Sequence, residues 1–510
     1  MMDIRKKRKK KEMMARLQRR MEGGLNNPWF QAAAGGSEAF TIVRLPSHFH
    51  ETNEGLYEPR LVSIGPYHLS SARTRGMQSH KWRFLRDFLL RNHHPEDGSS
   101  SVRLQLRLAA YIRAARGVEA RARRCYSESL EMASDDFVQL LVLDGCFILE
   151  FLLKSRHKVL EVDAYMQWAR IYIYYDLVLV ENQIPFFVLA ELYALAVKEG
   201  NNIHRRDENL DVLISKFFSR HEPLCHLPVP DQQLDIPCVH HLLHLQYRRL
   251  IVTTPANDGA GIQPLESVAL SSSFSSDAGT GSNEDEGDDE RELVIGITPL
   301  GAAGNAAAGA AGREQVNGGI TTPLAIRCVT ELQEFGVTFK EKPSPASQFD
   351  VTFRRGRMEI PRLAINAGTR ILVANLFAWE QTTKEDWKKG VVTGYLVLMN
   401  ALVNTAADVS VLQRRGILDN MLSNEEDAAA FFNRLGGCAL FDPAAHRYAE
   451  LFRDANEYCD HRWNRYVAVL KRDHLRSPCS IINLLAAAIL MCISVTSAGF
   501  VICHYSHACS

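Results

Sequence analysis

Two stretches, DFVQLLVLDGCFILEFLL (Asp136–Leu153) and IYIYYDLVLVENQIPFFVLAELYALAV (Ile171–Val197), decide the fold. Each is apolar on nearly every side, so water reaches little of either, and both are predicted as central helices of a large core. Asp144, Glu150, Asp176, Glu181, Asn182 and Gln183 stand inside them. A buried charge must be paired or hydrogen-bonded. The acids are therefore either general acid–base or metal-binding groups, or structural ones. The structural reading is favoured: Glu181-Asn182-Gln183 satisfies the backbone where Pro185, lacking an N–H, interrupts the helix.

Outward from this block, Pro59–Leu69 (PRLVSIGPYHL) reads as a strand-like piece ended by the turn Gly65-Pro66. Met77–Arg91 reads as a helix with Trp82, Leu85, Phe88 and Leu89 on one face. Val102–Met132 is Ala- and Arg-rich and amphipathic through Leu104, Leu108 and Ile112, its arginines lining a solvated face rather than binding phosphates. The region Leu210–Leu250 holds another helix and a Pro-broken loop before HHLLHLQYRR. There His241 and His244 share a helix face as metal ligands do, yet no Cys or carboxylate stands at supporting spacing, so a helix-surface pair is expected.

Downstream, Ile326–Phe335 reads as a helix stopped by Gly336. VTFKEK, FDVTF and MEIPRLAI read as short strands, with Arg354–Arg357 as a hairpin turn. Thr369–Trp379, Val391–Ala407, Asp427–Leu435 and Ala444–Leu470 return to helix, with a break over Leu412–Leu422. The last of these carries Trp463, Tyr466 and Leu470. Thr253–Thr321 is too poor in large apolar residues to offset its chain entropy and is expected to be a disordered insertion.

At the far end IINLLAAAILMCISVTSAGFVIC, Ile481–Cys503, lies in a tail without Asp, Glu, Lys or Arg from Ser477 to Ser510. Its 23 residues would span about 34 Å as a helix, against about 30 Å of bilayer hydrocarbon. It reads as a membrane anchor through Ile481, Leu484, Leu485, Ile489, Leu490, Ile493, Phe500 and Val501, the alternative being a buried core helix. Lys471, Arg472 and Arg476 precede it and no Lys or Arg follows, which places the large N-terminal part in the cytosol. The expectation is a single-pass, tail-anchored protein of the plasma membrane. Seven consecutive basic residues, Arg5–Lys11, open a disordered tail (1–38) without the apolar run of a cleavable signal peptide.

Composition bounds the rest. The chain has 510 residues, 46% of them hydrophobic, and its 59 basic residues balance 59 acidic ones, so no global field draws it to nucleic acid. Eleven cysteines without a CxxC pair suit a reducing compartment with free thiols. No GxSxG, HExxH, Walker, GxGxxG or kinase pattern occurs. Cys146, beside Asp144 in an apolar helix, is expected to be inert. No catalytic residue, cofactor or metal ligand is assigned and no small-molecule substrate is identified.

The motifs SIGPYH (63–68), HKWRFL, LDGCFILEF (143–151), DLVLVENQIPFFVL (176–189), HHLLHL (240–245), FDVTFRRGRMEIPRLAI (349–365), NLFAWEQ (375–381) and VVTGYLVLMNALVNTAADV (391–409) follow one another as in the plant DUF247 family of UPF0481-like proteins, which the chain resembles. The resemblance runs from about residue 40 to the tail. It departs at Leu69, Gln78 and Gly394, where the family usually has His, Glu and Ser. It implies a mainly α fold, a multi-helix domain (39–475) with a small β-hairpin, then a transmembrane helix (479–503) and a short tail (504–510). It implies structural roles for Gly65, Pro66, Tyr67, Asp144, Gly145, Glu181, Asn182, Gln183, Pro185, Glu380 and Gln381. Its functional implication is non-enzymatic recognition, because some grass members resemble proteins of self-incompatibility loci. The partners expected are the lipid bilayer and an unidentified protein; the alternative is a hydrolase-type enzyme with an unrecognised active site.

Overall fold

The computed structural model describes residues 13–19, 21–22, 40–91, 100–156, 164–198, 209–221, 239–251, 325–383, 390–443, 446–461, 466, 482 and 486–499. Of the tail expected to be disordered over 1–38, residues 13–19 and 21–22 are described and are helical, and the rest lies outside the described residues, as do the insertion 253–321 and the tail 504–510. Among the described residues the fold is mainly helical with two small sheets. Its helices are α1 (Ser47–Thr52), α2 (Met77–Leu89), α3 (Ser100–Arg124), α4 (Ser134–Arg156), α5 (Ala164–Leu177), α6 (Phe186–Lys198), α7 (Leu210–His221), α8 (Leu242–Ile251), α9 (Val329–Glu334), α10 (Ala367–Thr382), α11 (Val391–Leu402), α12 (Ala406–Arg414), α13 (Glu425–Gly436) and α14 (Ala449–Asp460). A further apolar helix, α15, spans Ala486–Gly499.

Helix α4 is the axis of the core. Asp135 and Asp136 in its first turn and Lys154 and Arg156 in its last complement the helix dipole, and almost every residue from Phe137 to Leu153 is buried. It packs against α2, α3, α6 and α7. Gly145 allows α6 to approach, since a Cβ there would lie 2.4 Å from Leu192 Cδ1. Residues from both sides of 252–324 join one continuous hydrophobic core.

The second apolar stretch is two helices, interrupted ahead of Pro185 as expected. Helix α5 stops at Leu177, 178–185 runs irregularly, and α6 starts directly after Pro185. Gln183 Nε2 donates to the carbonyls of Leu177 (2.8 Å) and Leu179 (2.7 Å), and Asn182 Nδ2 to that of Asp176 (2.8 Å), closing the end of α5 with side chains.

Two helical faces differ from expectation. In α2 the buried face is Met77, Lys81, Phe84, Leu85, Phe88 and Leu89, while Trp82 is 48% exposed. The ammonium of Lys81 is inside because buried Asp144 needs a counter-ion. In α3 Leu104 and Leu108 pack on the core but Ile112 is exposed. Its arginines bind neighbouring groups, Arg123 pairing with Glu119 at 3.0 Å and Arg116 with Asp135.

The strands β1 (Thr338–Glu341), β2 (Thr352–Arg354) and β3 (Arg357–Ile360) form a sheet ordered β1-β3-β2. Strands β2 and β3 make the expected antiparallel hairpin, with both turn residues at positive φ, Arg355 at 49° and Gly356 at 74°. Gly336, at φ 88°, follows α9 as its left-handed stop. A second pair was not foreseen: β4 (Leu363–Ile365) lies parallel to β5 (Leu418–Asn420), inside the expected break. The helix expected over Val391–Ala407 ends at Leu402, and α12 leaves at 105° to α11. The last helix before the tail is described only over Ala449–Asp460; Trp463 and Leu470 fall outside the described residues, and Tyr466 is exposed.

Gly65 separates strain from crowding. At φ +74° a Cβ would meet Gln183 O at 2.3 Å, whereas Gly55, at φ +75°, has nothing within 4 Å. Gly55→Ala is expected to cost about 1–2 kcal/mol from its backbone conformation alone. Gly65→Ala should cost clearly more, above about 3 kcal/mol, because backbone must also move; the denaturant midpoints of the two variants check this.

Candidate functional site

The extended segment Pro59–Gly65 belongs to no sheet, yet Val62, Ser63 and Ile64 are fully buried. Its amides are satisfied by side chains instead. Asp176 accepts from the N–H groups of Arg60 (2.8 Å), Leu61 (2.8 Å) and Val62 (2.7 Å). Asn182 Oδ1 accepts from Ile64 N–H at 2.7 Å while its Nδ2 donates to Val62 O at 3.0 Å. Asp144 accepts from Gly65 N–H at 2.9 Å and pairs with Lys81, whose ammonium also reaches Ser63 O at 2.5 Å. Burial pushes Asp176 up to about 6 against the pull of its three amides, and pushes Asp144 up against Lys81.

Thus Gly65, Asp144, Asn182 and Gln183 meet in one buried lattice, with Tyr126 Oη donating to Gln183 O at 3.2 Å and Tyr67 stacked edge-on to Tyr126 at 5.5 Å. Glu150 stands apart, pairing with Arg91 at 2.5 Å; burial raises it and Arg91 opposes that. Glu380 and Gln381 build a second node. Glu380 accepts from Tyr247 Oη (2.6 Å), Val392 N–H (3.0 Å) and Thr393 N–H (2.7 Å), capping α11 from α10. Gln381 holds Leu440 by both backbone groups, at 2.9 and 3.1 Å.

Of Glu181, Asn182 and Gln183, Glu181 lines a cavity of about 680 Å³. Its Oε1 accepts from Leu45 N–H at 2.7 Å and lies 3.1 Å from His50 Nε2; its Oε2 lies 3.2 Å from His68 Nε2, off the angle of a good hydrogen bond. The carboxylate is 1% exposed and His50 about a third. Burial acts to raise Glu181, but the two imidazoles and the Leu45 amide outweigh it and hold the acid at about 2. His50 is raised above the usual imidazole value by its hydrogen bond to Glu181. Arg44, Glu51, Glu58 and Arg73 complete the charged wall, with Arg73 bound to Glu58 at 2.8 Å. Neither histidine is visible from spacing, since His50 is 131 residues from Glu181 in the chain.

His241 and His244 are not a surface pair. Both are buried, His244 stacked on Trp379 at 4.8 Å, and burial lowers them to about 3 and about 2. Their Nδ1 atoms accept from backbone N–H groups. Among the described residues no group of three His, Cys, Asp or Glu side chains is arranged to hold a metal ion. Cys146 is fully buried, and burial raises its thiol further. Of the anchor residues, Ile489, Leu490 and Ile493 lie on α15 and are exposed, while Ile481, Leu484, Leu485, Phe500 and Val501 are outside the described residues.

Residues 42–493 match DUF247, described as a plant protein of unknown function. The chain belongs to the DUF247 family. It is 25% identical over 487 residues to a UPF0481 protein of Arabidopsis thaliana, covering 93% of this chain and 88% of the relative. A putative UPF0481 protein of the same plant is 21% identical over 494 residues, covering 88% of each. No solved structure matches significantly.

The Glu181 cluster makes stability depend on pH in two directions. Glu181, depressed to about 2, contributes stability that is present above about pH 4.5 and lost as pH falls toward 2. His50, raised, contributes stability present below about pH 6.5 and lost as pH rises through its folded value. The gap in unfolding midpoint between the native chain and Glu181→Gln should therefore be widest near pH 5 and narrow on both sides; a gap constant with pH refutes the cluster.

Proposed function

We propose that this DUF247 protein is a non-enzymatic recognition protein of the plasma membrane. Residues 481–503 anchor it, its helical part faces the cytosol, and it binds a protein partner in cell-recognition signalling of the self-incompatibility type. The observation that carries the reading is the surface of α15. Ile489, Leu490, Met491, Ile493 and Val495 are 60, 65, 70, 54 and 63% exposed, whereas the apolar helices α4, α6, α10 and α11 bury theirs. Apolar area left in water costs about 25 cal/mol per Å², which hydrocarbon would relieve. Ser494 and Thr496 return their hydroxyls to the carbonyls of Leu490 and Cys492 at 2.8 and 2.9 Å, as a helix in lipid needs.

Among the described residues no single helix is long and apolar enough to cross a membrane. The 14 residues of Ala486–Gly499 rise about 21 Å, short of the roughly 30 Å required. The anchor therefore needs the helix to extend on both sides, to Ile481 and Cys503. The bent apolar pair α11–α12 contributes to the hydrophobic core.

One observation favours a second reading, a hydrolase-type enzyme: the cavity gathers His50, His68 and Glu181. Against it, the Glu181 carboxylate is occupied by its own neighbours.

Alkaline carbonate extraction of membranes carrying the full chain tests the anchor. The native protein should stay in the pellet, and a variant with Ile489→Asp and Ile493→Asp should be released, since an acid at mid-helix costs about 2.5–3.5 kcal/mol each. Release of the native protein contradicts the reading.

A further inference from the structure

The cavity above Glu181 carries an inference independent of membrane attachment. Its ion pairs are unevenly closed. Glu181 is held by Leu45 N–H, His50 and His68, and Glu58 by Arg73. Arg44 is left over. Its guanidinium lies 5.3 Å over the Tyr67 ring and makes one long hydrogen bond, 3.4 Å, to Tyr67 O, with no carboxylate partner among the described residues. The same wall presents His50 and the side chains of Ser47 and Ser71.

Arg44 and His50 repel each other across this space, the arginine disfavouring the charged imidazole that Glu181 and Glu58 favour. An anion placed between them would remove that repulsion, and a planar guanidinium accepts a tetrahedral or planar oxyanion through two parallel N–H bonds. Of the three carboxylates on this wall, Glu181 is held by its histidines and Glu58 by Arg73, while Glu51, on the same helix as His50, has no ion pair among the described residues; its charge would exclude extended polyanions and favour a single acidic group.

We propose that this cavity is a binding site for one oxyanion group, a phosphate or carboxylate, clasped by Arg44 and His50. The anion enters from solvent, lies against the guanidinium and takes the remaining ring N–H of His50. His50 is faced by Glu181, Glu58, Arg44, Glu51 on its own helix and His68 across the carboxylate, with the Tyr57 ring edge-on at 5.6 Å. Because the bound anion favours the imidazolium, binding is tightest in acid and weakens as pH rises through the His50 titration.

Isothermal titration of the full chain in detergent micelles with sulfate, whose charge is constant across this range, tests the site at ionic strength fixed with chloride. Saturable binding is expected, weakening by up to about tenfold per pH unit above the His50 transition. Arg44→Gln should weaken it by about tenfold or more, and Glu51→Gln should tighten it by about threefold. Both residues are on the surface, so unfolding midpoints should hold and folding failure is separable from binding loss. No saturable binding, or an affinity unchanged in Arg44→Gln, overturns the proposal. The same titration in nanodiscs of phosphatidylcholine, with and without a phosphoinositide, identifies the source: competition by the acidic lipid makes the oxyanion a headgroup, and an equal affinity makes it a soluble ligand.

Discussion

The structure depends on how an extended, buried segment without a sheet has its backbone satisfied. Between Arg60 and Gly65 five amides point at three side chains, Asp176, Asn182 and Asp144. Each unpaired buried amide would cost about 1–3 kcal/mol, so the arrangement is worth several times the net stability of one ordinary contact. The donors and acceptors lie far apart in the chain, which makes the lattice a tertiary lock between 59–68 and the block 144–183. Lys81 then neutralises Asp144 from a third element, and the core closes around a charge rather than despite it.

The irregular stretch 178–185 serves this lock. A continuous helix from α5 to α6 would carry Glu181, Asn182 and Gln183 round its circumference; the break turns Asn182 and Gln183 inward and Glu181 toward the cavity. Gly65 is required where the strap crosses Gln183 O, since no side chain fits there. Asn375 of α10 extends the lattice, accepting from Val180 N–H at 2.9 Å and donating to Leu56 O at 2.8 Å. Structural support and the candidate site therefore share one loop, with the buried Glu181 carboxylate lining the cavity beside its two histidines.

The sequence made part of this legible. Apolar runs marked α4 and α6, Gly336 marked a helix end, and RRGR marked a hairpin, because each of these signals is local. Glu181-Asn182-Gln183 was readable as backbone support near Pro185, but only for its short-range half. The placing of Lys81 inside and Trp82 outside was not readable, since periodicity ranks tryptophan above lysine and cannot see the buried Asp144. The bend after Leu402 carries no Gly or Pro, and the β4–β5 pairing joins distant positions. His50 and His68 owe their place in the site to Glu181, which is distant from both in the chain.

Amide hydrogen exchange under native conditions, resolved to Arg60, Leu61, Val62, Ile64 and Gly65, bears most directly on the tertiary lock. These amides should exchange as slowly as those of Leu149 and Phe151 in α4, opening only when the whole core unfolds. Exchange orders of magnitude faster than in α4, with the core intact, would show that the segment detaches by itself and would contradict the account.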